Sequence, residues 1–583
     1  MAFISVDSDG TLAIQDVYDS KTVISDIGGW WDTIGKVWRV AFTLYNLDYL
    51  LENLEGATVS GNMDTLVEQQ IEKEKMLSKI RLMSKQDLPV KVKIPGLKAN
   101  LYNYQKLGVM FAITNGTGVL IADEMGLGKS VQSLATAMYL KAQGKAKKAL
   151  VVVPASLKYN WPMEIEKFTG ERYVVIDGTP DERIAQWLRN DVFFYVVNYE
   201  LVVEDLFGGK ELKEREGETA EKKKKREVRI AKNKMRERIL TPVRTRSWDL
   251  IVCDEIHQIK SHQARRSRSL KSLRAKFKMG LTGTPLDGRL EELHSIMGFI
   301  APGLLGSKSR FFQMHVETDF WGKITGYKRL GEVTKRVEPF MIRRLKKDVL
   351  KDLPDKIYQN RIITLSDEEH SIYRKLADGG HKVTESEQAI VACIRCKQFC
   401  NYPPAIDSDC TKTSKMDALR DVLREVVVEN GHKALIFSQY KTMLDIIAIT
   451  LKDMGLKYLR IDGDTPKKDR AEMQAKFNTD PSIDLMLGTE AMSTGLNLVG
   501  ADHVIMYDQW WSNSIMAQAV DRAHRIGQKG VVNVVILACK DTIEERIWKV
   551  LESKKKVTDE VLQDGVDEYQ AIGMSPLDIA KLL

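Results

Sequence analysis

The sequence predicts an α/β protein: two doubly wound parallel-sheet lobes in tandem, with helical insertions, behind a small N-terminal α+β module. Three observations predict it. From Leu101 onward, short apolar runs at 119–122, 150–153, 173–176, 193–197, 250–253 and 278–281 alternate with amphipathic stretches. A second set of runs follows at 434–437, 458–461, 484–487, 504–507 and 532–537. Several are β-branched and lack strict alternation, as strands do when helices cover both faces of a parallel sheet. Only the first set opens on a glycine-punctuated turn that ends in Lys-Ser, at 118–130. One phosphate loop for two lobes suggests one nucleotide gripped between them.

Length and composition fit that division. At 583 residues, with 43% hydrophobic and 29% charged residues, the chain is globular and too long for one core, so three or four domains are expected. Six cysteines do not suggest a disulfide framework, which points to a reducing compartment. The start M-A-F-I-S-V-D-S-D-G has no basic region followed by a long apolar run, and no stretch of eighteen apolar residues occurs. A cytoplasmic location is therefore expected, nuclear for a eukaryotic source, with no membrane partner. The net charge is +8, and thirteen Lys/Arg against seven Asp/Glu between 210 and 238 supply +6 of it. Such a run suits a DNA-touching arm, a solvated helix or a disordered loop.

In chain order, residues 1–98 read as a separate accessory module. T-V-I-S-D-I-G-G-W-W and K-V-W-R-V-A-F-T-L read as β-structure around a turn, and 63–85 as a helix. Trp30, Trp31 and Trp38 suit either stacking on bases or closing a small core. The segment 88–100, with Pro89, Pro95 and Gly96, reads as a linker. The first lobe is expected over 99–300 with a charged insert at 208–242. Inter-lobe helical protrusions and a linker follow over 301–425, the second lobe over 426–553, and a helical tail over 554–583.

The chemistry is read from the ends of the strands. In G-V-L-I-A-D-E-M-G-L-G-K-S, Gly126 and Gly128 let the backbone turn its N–H groups toward phosphate oxygens, and the following helix adds the positive end of its dipole. The nucleotide-binding residues are thus expected to be Asp123, Glu124, Met125, Gly126, Leu127, Gly128, Lys129 and Ser130. Lys129 would reach the β- and γ-phosphates and Ser130 would ligate Mg2+. Asp123 stands where the generic pattern has glycine.

After W-D-L-I-V-C come Asp254, Glu255 and, two residues on, His257. Asp254 would hold the Mg2+ and Glu255 would orient the attacking water. Thr282-Gly283-Thr284 ends the next strand, with hydroxyls suited to hydrogen-bond that segment and couple nucleotide state to lobe movement. Upstream, the two-sided amide of Gln105 could read adenine. In the second lobe, Arg522 and Arg525 stand three residues apart, hence on one helix face, as candidate fingers for charge developing on a transferring phosphoryl group.

The ordered set L-Y-N-Y-Q, I-A-D-E-M-G-L-G-K-S, V-V-V-P-A-S-L-K-Y-N-W, V-V-N-Y-E, D-E-I-H, L-T-G-T-P, A-L-I-F-S-Q-Y, I-D-G-D-T, D-Q-W-W and D-R-A-H-R-I-G-Q resembles the Swi/Snf family of helicase-superfamily-two ATPases. It covers about 99–555, and P-F-M-I-R-R-L-K-K-D-V-L looks like that family's segment between the lobes. The resemblance implies RecA-like lobes and ATP-driven translocation along double-stranded DNA by a monomer, usually without strand separation. D-E-M-G-L-G-K is the family's own phosphate loop, Asp123 included, and Gly495 is implied as a further nucleotide contact. Gly288 and 491–495 depart from the family pattern at positions that concern coupling between ATP and DNA.

The resemblance further implies that Pro154, Ala155, Ser156, Asn198, Tyr199, Ser438, Gln439, Gly463, Asp464, Thr465 and Thr489 line one DNA strand. Short polar side chains and N–H groups suit phosphate and carry no base information, so binding would be sequence-tolerant and salt-sensitive. Lys260, Arg265, Arg266, Arg268, Lys271 and Arg274 would add phosphate contacts or form a solvated helix face. W-W-D-x-x-x-K-V-W-R-V resembles the HARP module of annealing helicases, which would imply branched DNA as a partner. Cys393, Cys396, Cys400 and Cys410 could bind zinc, although the resemblance puts Cys400 at a helix end without metal. The rival expectations are a strand-separating or annealing helicase and a non-hydrolysing DNA-binding scaffold.

Overall fold

The computed structural model describes residues 2–7, 11–17, 21–32, 35–86, 88–208, 235, 238–286, 289–320, 324–350, 353–381, 386–493, 496–511, 513–525, 527–549, 551 and 568–570. Most of the charged insert at 208–242, most of the tail at 554–583, and Gly288, Thr494 and Gly495 lie outside them. The chain forms two compact units, one chiefly of residues 1–317 and 327–349, the other chiefly of 350–563. Among the described residues no helix is long and apolar enough to cross a membrane.

The first unit begins with a five-stranded mixed sheet. Its strands β1 (Phe3–Val6), β2 (Thr11–Gln15), β3 (Trp30–Asp32), β4 (Val37–Ala41) and β5 (Thr58–Val59) lie in the order β3-β4-β2-β1-β5. Helices α1 (Lys21–Asp26) and α2 (Leu44–Asn53) accompany it, and Ile4, Leu12, Ile14, Ile24, Val40, Leu47 and Leu50 close its core. The expected strand in T-V-I-S-D-I is instead α1: the β-branched run folds as a helix whose Ile24 fills that core. Trp31 is 48% exposed and sets its ring edge-on to Trp38, which packs partly buried against the core. The side chain of Trp30 is outside the described residues.

Helix α3 (Met63–Lys85) follows, and its Leu77 and Ile80 enter the core of the next sheet rather than that of the N-terminal one. A second seat lies at a glycine contact. A Cβ on Gly28 (φ 77°) would stand 2.6 Å from the Gly303 Cα, so the two backbones touch only because neither bears a side chain.

The large sheet of this unit is entirely parallel. Its strands are β6 (Gly118–Ile121), β7 (Ala149–Val153), β8 (Tyr173–Val175), β9 (Phe194–Asn198), β10 (Ser247–Asp254) and β11 (Arg274–Leu281). Beyond β12 (Val316–Thr318) and β13 (Ile324–Lys328) comes β14 (Met341–Ile342), and the order is β14-β6-β11-β10-β7-β9-β8. Helices α4 (Asn103–Asn115), α5 (Lys129–Ala142), α6 (Asn160–Phe168), α7 (Pro180–Leu188) and α8 (Tyr199–Leu206) connect and flank the strands. β6, β7 and β9 are buried at every residue, as continuous apolar runs require.

The second unit carries another all-parallel sheet. Strands β15 (Lys356–Ile363), β16 (Ala434–Phe437), β17 (Tyr458–Ile461), β18 (Leu485–Gly488), β19 (His503–Met506) and β20 (Val532–Cys539) are ordered β15-β20-β19-β16-β18-β17. All eleven sequence-predicted runs of the two lobes coincide with strands to within a few residues. The stretch 301–425, expected to be helical, also supplies the edge strands β14 and β15.

Candidate active site

Three neighbouring strands, β6, β11 and β10, end side by side, with Ile121 paired to Leu281 and Leu281 to Asp254. Their carboxyl ends deliver the phosphate loop, the Thr-Gly-Thr turn and the paired acids to one edge of the sheet, where ligands of α/β folds bind. Gly126 and Gly128 take positive φ (86° and 73°), and Gly128 caps α5, so the N–H groups of the first turn of α5 are open to an anion. The Lys129 ammonium lies on the carbonyl of Asp123 at 3.0 Å, inside the curve of the loop.

Gln105 is held differently from the expectation. Its Oε1 accepts from the Tyr102 N–H at 3.0 Å and its Nε2 donates to the Leu127 carbonyl at 3.1 Å. The amide thus ties the start of α4 to the phosphate loop instead of presenting both ends to a base. Asp123 and Glu124 also differ. The Asp123 carboxylate is buried on Arg344, and the Glu124 N–H donates to the Arg344 carbonyl at 2.9 Å. Both face the segment after β14 and not the hollow of the loop. Met125 packs against Gly283, where a Cβ would stand 2.5 Å from the Met125 Cγ.

Asp254 is 7% exposed at the end of β10. Its Oδ2 accepts from the Trp161 indole at 2.9 Å, its Oδ1 from the Glu255 N–H at 2.9 Å, and its backbone carbonyl from the Tyr199 hydroxyl at 2.7 Å. Burial, and then the adjacent Glu255 carboxylate, raise its pKa to about 6; the Trp161 bond and Lys129 act against that rise. Trp161 and Tyr199 belong to the segments after β7 and β9, and sequence reasoning did not single out Trp161. An indole at the start of α6, able only to donate, was the available signal. Glu255 adopts left-handed backbone angles (φ 46°), a costly conformation for a non-glycine that turns the chain sharply after the acidic pair.

The expected hydroxyl link is present. His257 Nδ1 lies 3.4 Å from Thr282 Oγ1 and 3.4 Å from a Glu255 carboxylate oxygen, and Thr282 Oγ1 accepts from the Thr284 N–H at 3.1 Å.

In the second unit, β16, β18 and β17 are neighbours, and their ends carry Ser438, Thr489 and Gly463. Ser438 is fully buried and donates to Asp508, whose carboxylate also accepts the Gln439 N–H. Ser438 therefore offers no surface to a phosphate, contrary to the expectation. Asn198 of the first unit is likewise only 7% exposed and donates to Glu200. Pro154, Ala155, Ser156, Gly463, Asp464 and Thr465 reach the surface in part or fully, and Thr489 is 9% exposed. Thr465 is tied by its hydroxyl to the Asp462 N–H at 3.0 Å.

Arg522 and Arg525 do not share a helix face. The helix Asn513–Val520 ends before them, and tight turns follow, among them Arg522 N–H to the Ala519 carbonyl. Side chains hold the turns: Asp521 pairs with Lys356 at 3.3 Å, His524 bonds the Pro354 carbonyl at 2.6 Å, and Gln528 donates to the Ala501 and Ala523 carbonyls. Arg522, 5% exposed, donates to the Leu496 carbonyl at 3.1 Å, whereas Arg525 is only partly covered.

The basic run after β10 is largely spent inside the first unit. Arg265 donates to the Phe207 and Gly208 carbonyls, Arg266 pairs with Glu200, Lys260 with Glu292, and Lys271 donates to Ser295. Arg268 and Arg274 are exposed.

The four cysteines do not form a zinc site. Cys393, Cys396, Cys400 and Cys410 are buried with Cys539 in an apolar cluster, and burial pushes the Cys393 and Cys396 thiols up to about 11 and 12. Among the described residues the only metal-competent group that includes one of them is Cys400, Cys539 and Glu544, where Lys415 already pairs with Glu544 at 2.5 Å.

Comparison with known proteins shows the family. The SNF2-related domain model matches residues 99–413 and the helicase conserved C-terminal domain model matches 414–527. A putative ATP-dependent helicase/translocase of Bacillus subtilis, YwqA, is 30% identical over 511 residues, covering 83% of this chain and 51% of that protein. The human SWI/SNF-related matrix-associated actin-dependent regulator of chromatin subfamily A member 1 is 30% identical over 528 residues, covering 85% of this chain and 47% of its own. The Sulfolobus solfataricus SWI2/SNF2 ATPase core, solved in complex with dsDNA, is 28% identical over 80% of this chain and 94% of that one, with a TM-score of 0.39. The chain spans about half the length of the curated relatives it matches. With the SNF2-related domain alone matching more than half of its residues, this chain belongs to the SNF2 family.

Proposed function

We propose that this protein is a DNA-stimulated ATPase that translocates along double-stranded DNA and thereby remodels protein–DNA complexes or branched DNA. One observation carries the reading: the phosphate loop, the Thr282–Thr284 turn and the Asp254-Glu255 pair stand at the ends of three adjacent strands, with Asp254 already oriented by Trp161. Relatives named as ATP-dependent helicases support it.

In this reading Lys129 meets the β- and γ-phosphates and Glu255 orients the attacking water. The donor set suits Mg2+: the Ser130 hydroxyl and the Asp254 carboxylate are hard oxygen ligands, and the ion, when bound, neutralises charge on the phosphates. Arg525 and Arg522 remain the candidate groups for charge developing on the transferring phosphoryl group. Ala155, Ser156, Gly463, Thr465 and Thr489 meet one DNA strand through its phosphates, so affinity falls with salt and varies little with sequence. Trp161 and Tyr199 tie two of the DNA-facing segments directly to Asp254, which gives DNA a short route to the acidic pair. The exposed Trp31 of the N-terminal sheet is available to stack on an unpaired base at a branch.

The test is phosphate release by the purified chain with duplex DNA, single-stranded DNA or no DNA. Duplex is expected to stimulate most. Greater stimulation by single strands favours strand separation, and no release with any DNA favours the scaffold. Product assays on forked, protein-bound and plain duplex then separate the remodelling roles.

A further inference from the structure

The aspartate that replaces glycine in the phosphate loop has a partner 221 residues away. Arg344 and Asp123 are both 0% exposed. The Arg344 Nε donates to Asp123 Oδ1 at 2.8 Å and an Nη2 donates to Oδ2, a two-pronged grip; the same Nη2 donates to Gln132 Oε1 at 2.7 Å, and Nη1 to the Tyr104 carbonyl. Gln132 closes the ring with its Nε2 on Asp123 Oδ2 at 3.0 Å. Space for the guanidinium is reserved by Gly108, whose Cβ would stand 2.8 Å from it.

The backbone reinforces the side chains. β14 extends the sheet beside β6, the Ala122 N–H donates to the Ile342 carbonyl at 2.8 Å, the Glu124 N–H to the Arg344 carbonyl at 2.9 Å, and the Lys346 N–H to Glu124 Oε2 at 2.7 Å. Three consecutive residues, Ala122, Asp123 and Glu124, are thus held by the segment 341–346.

We infer that Arg344 is the positioning residue of the phosphate loop, so that nucleotide affinity depends on the segment 341–346 being seated against Asp123. A planar fork with two parallel donors fixes the orientation of a carboxylate, which a point charge does not. Asp123 in turn presents its carbonyl to Lys129, the residue that must meet the phosphates. The inference rests on the ATP-binding reading above.

The experiment compares wild type, R344K, R344M and the double variant D123N/R344M. It measures affinity for a fluorescent ATP analogue, KM and kcat for ATP, melting temperature, and amide exchange over residues 122–130. R344M is expected to bind nucleotide at least tenfold more weakly, with KM rising more than kcat falls and with faster exchange in the loop. R344K keeps the charge without the fork and falls between. D123N/R344M removes both charges, so its melting temperature returns toward wild type while nucleotide affinity stays low. Wild-type affinity in folded R344M or in the double variant overturns the inference, as does an affinity that merely follows melting temperature across the set. If wild type itself binds no ATP, the functional reading fails instead. Unchanged loop exchange in the variants still counts against the seat.

Discussion

The two sheets offer their strand ends in opposite conditions. In the first unit the groups at the strand ends are braced from behind: Asp254 by Trp161, the phosphate loop by Gln105 and Arg344, Thr282 toward His257. In the second, the corresponding polar groups are turned into the protein, Ser438 onto Asp508 and Arg522 onto the Leu496 carbonyl. The first unit leaves the N–H groups of the first turn of α5 open to an anion, whereas the second spends these polar atoms on its own loops. A group that must act on demand is better stored in an internal bond than left in solvent, provided that the bond is weak enough to exchange.

That contrast can be broken from either side. The largest effect is expected at the braced half: K129A should lower ATP turnover on the order of a thousandfold, about 4 kcal/mol of barrier, with DNA binding retained. Phosphate release and a filter-binding titration check it. Next comes the buried pair Lys415–Glu544 of the second unit, 1% and 0% exposed. K415M leaves a carboxylate uncompensated and should destabilise that unit by about 3 kcal/mol in urea melts, without moving the loop of the first.

Arg522 and Arg525 sharpen the comparison further. R522A should lower both melting temperature, by about 2 kcal/mol of stability, and turnover; R525A should lower turnover alone. Equal melting temperatures for the two variants would mean that Arg522 is as available as sequence spacing suggested.

A pH effect of similar size belongs to the first unit. His294 is 7% exposed, bonded to His262 at 2.9 Å and to the Gly306 carbonyl at 3.0 Å. Burial first, then the nearby cations Lys271, Arg336 and Lys308, lower its pKa to about 4. The folded state keeps it neutral while the unfolded chain takes up a proton near pH 6.5. Stability is therefore complete above pH 6.5 and falls below it by at most about 1.4 kcal/mol per pH unit until about pH 4. Urea melts at pH 7 and pH 5 measure the loss; H294Q should remove the share of His294, while His262, lowered by burial to about 3, keeps its own. The smallest effect is expected from S438A: about 1 kcal/mol of stability, and no change in the salt dependence of DNA binding. A shallower salt slope would return Ser438 to the DNA surface.

The central strands were legible in the sequence because burial on both faces leaves an unbroken apolar run. The edge strands were not. β14 has two residues, and β15 (Lys356–Ile363) is exposed at six of its eight positions, so neither shows an apolar signature. At the site, local motifs put Lys129, Asp254 and Thr282 near strand ends, and there they lie: Asp254 closes β10, Thr282 follows β11 directly, and Lys129 opens the helix after β6. Properties set by distant partners were hidden. Nothing near Asp123 announces Arg344, nothing near Ser438 announces Asp508, and beyond Val520, where the helix read through Arg522 stops, the polar groups go to the Lys356 side chain and the backbone carbonyls of Pro354, Leu496 and Ala501.

The placement of α3 decides where this protein can be cut. A shortened chain beginning at the linker near residue 98 would look natural from composition, yet it would strip Leu77 and Ile80 from beside Phe111 and Leu107 and leave an oily groove open on the large sheet of the first unit. Such a fragment should aggregate on expression, whereas one starting just ahead of Met63 keeps the groove filled and sheds only the small sheet.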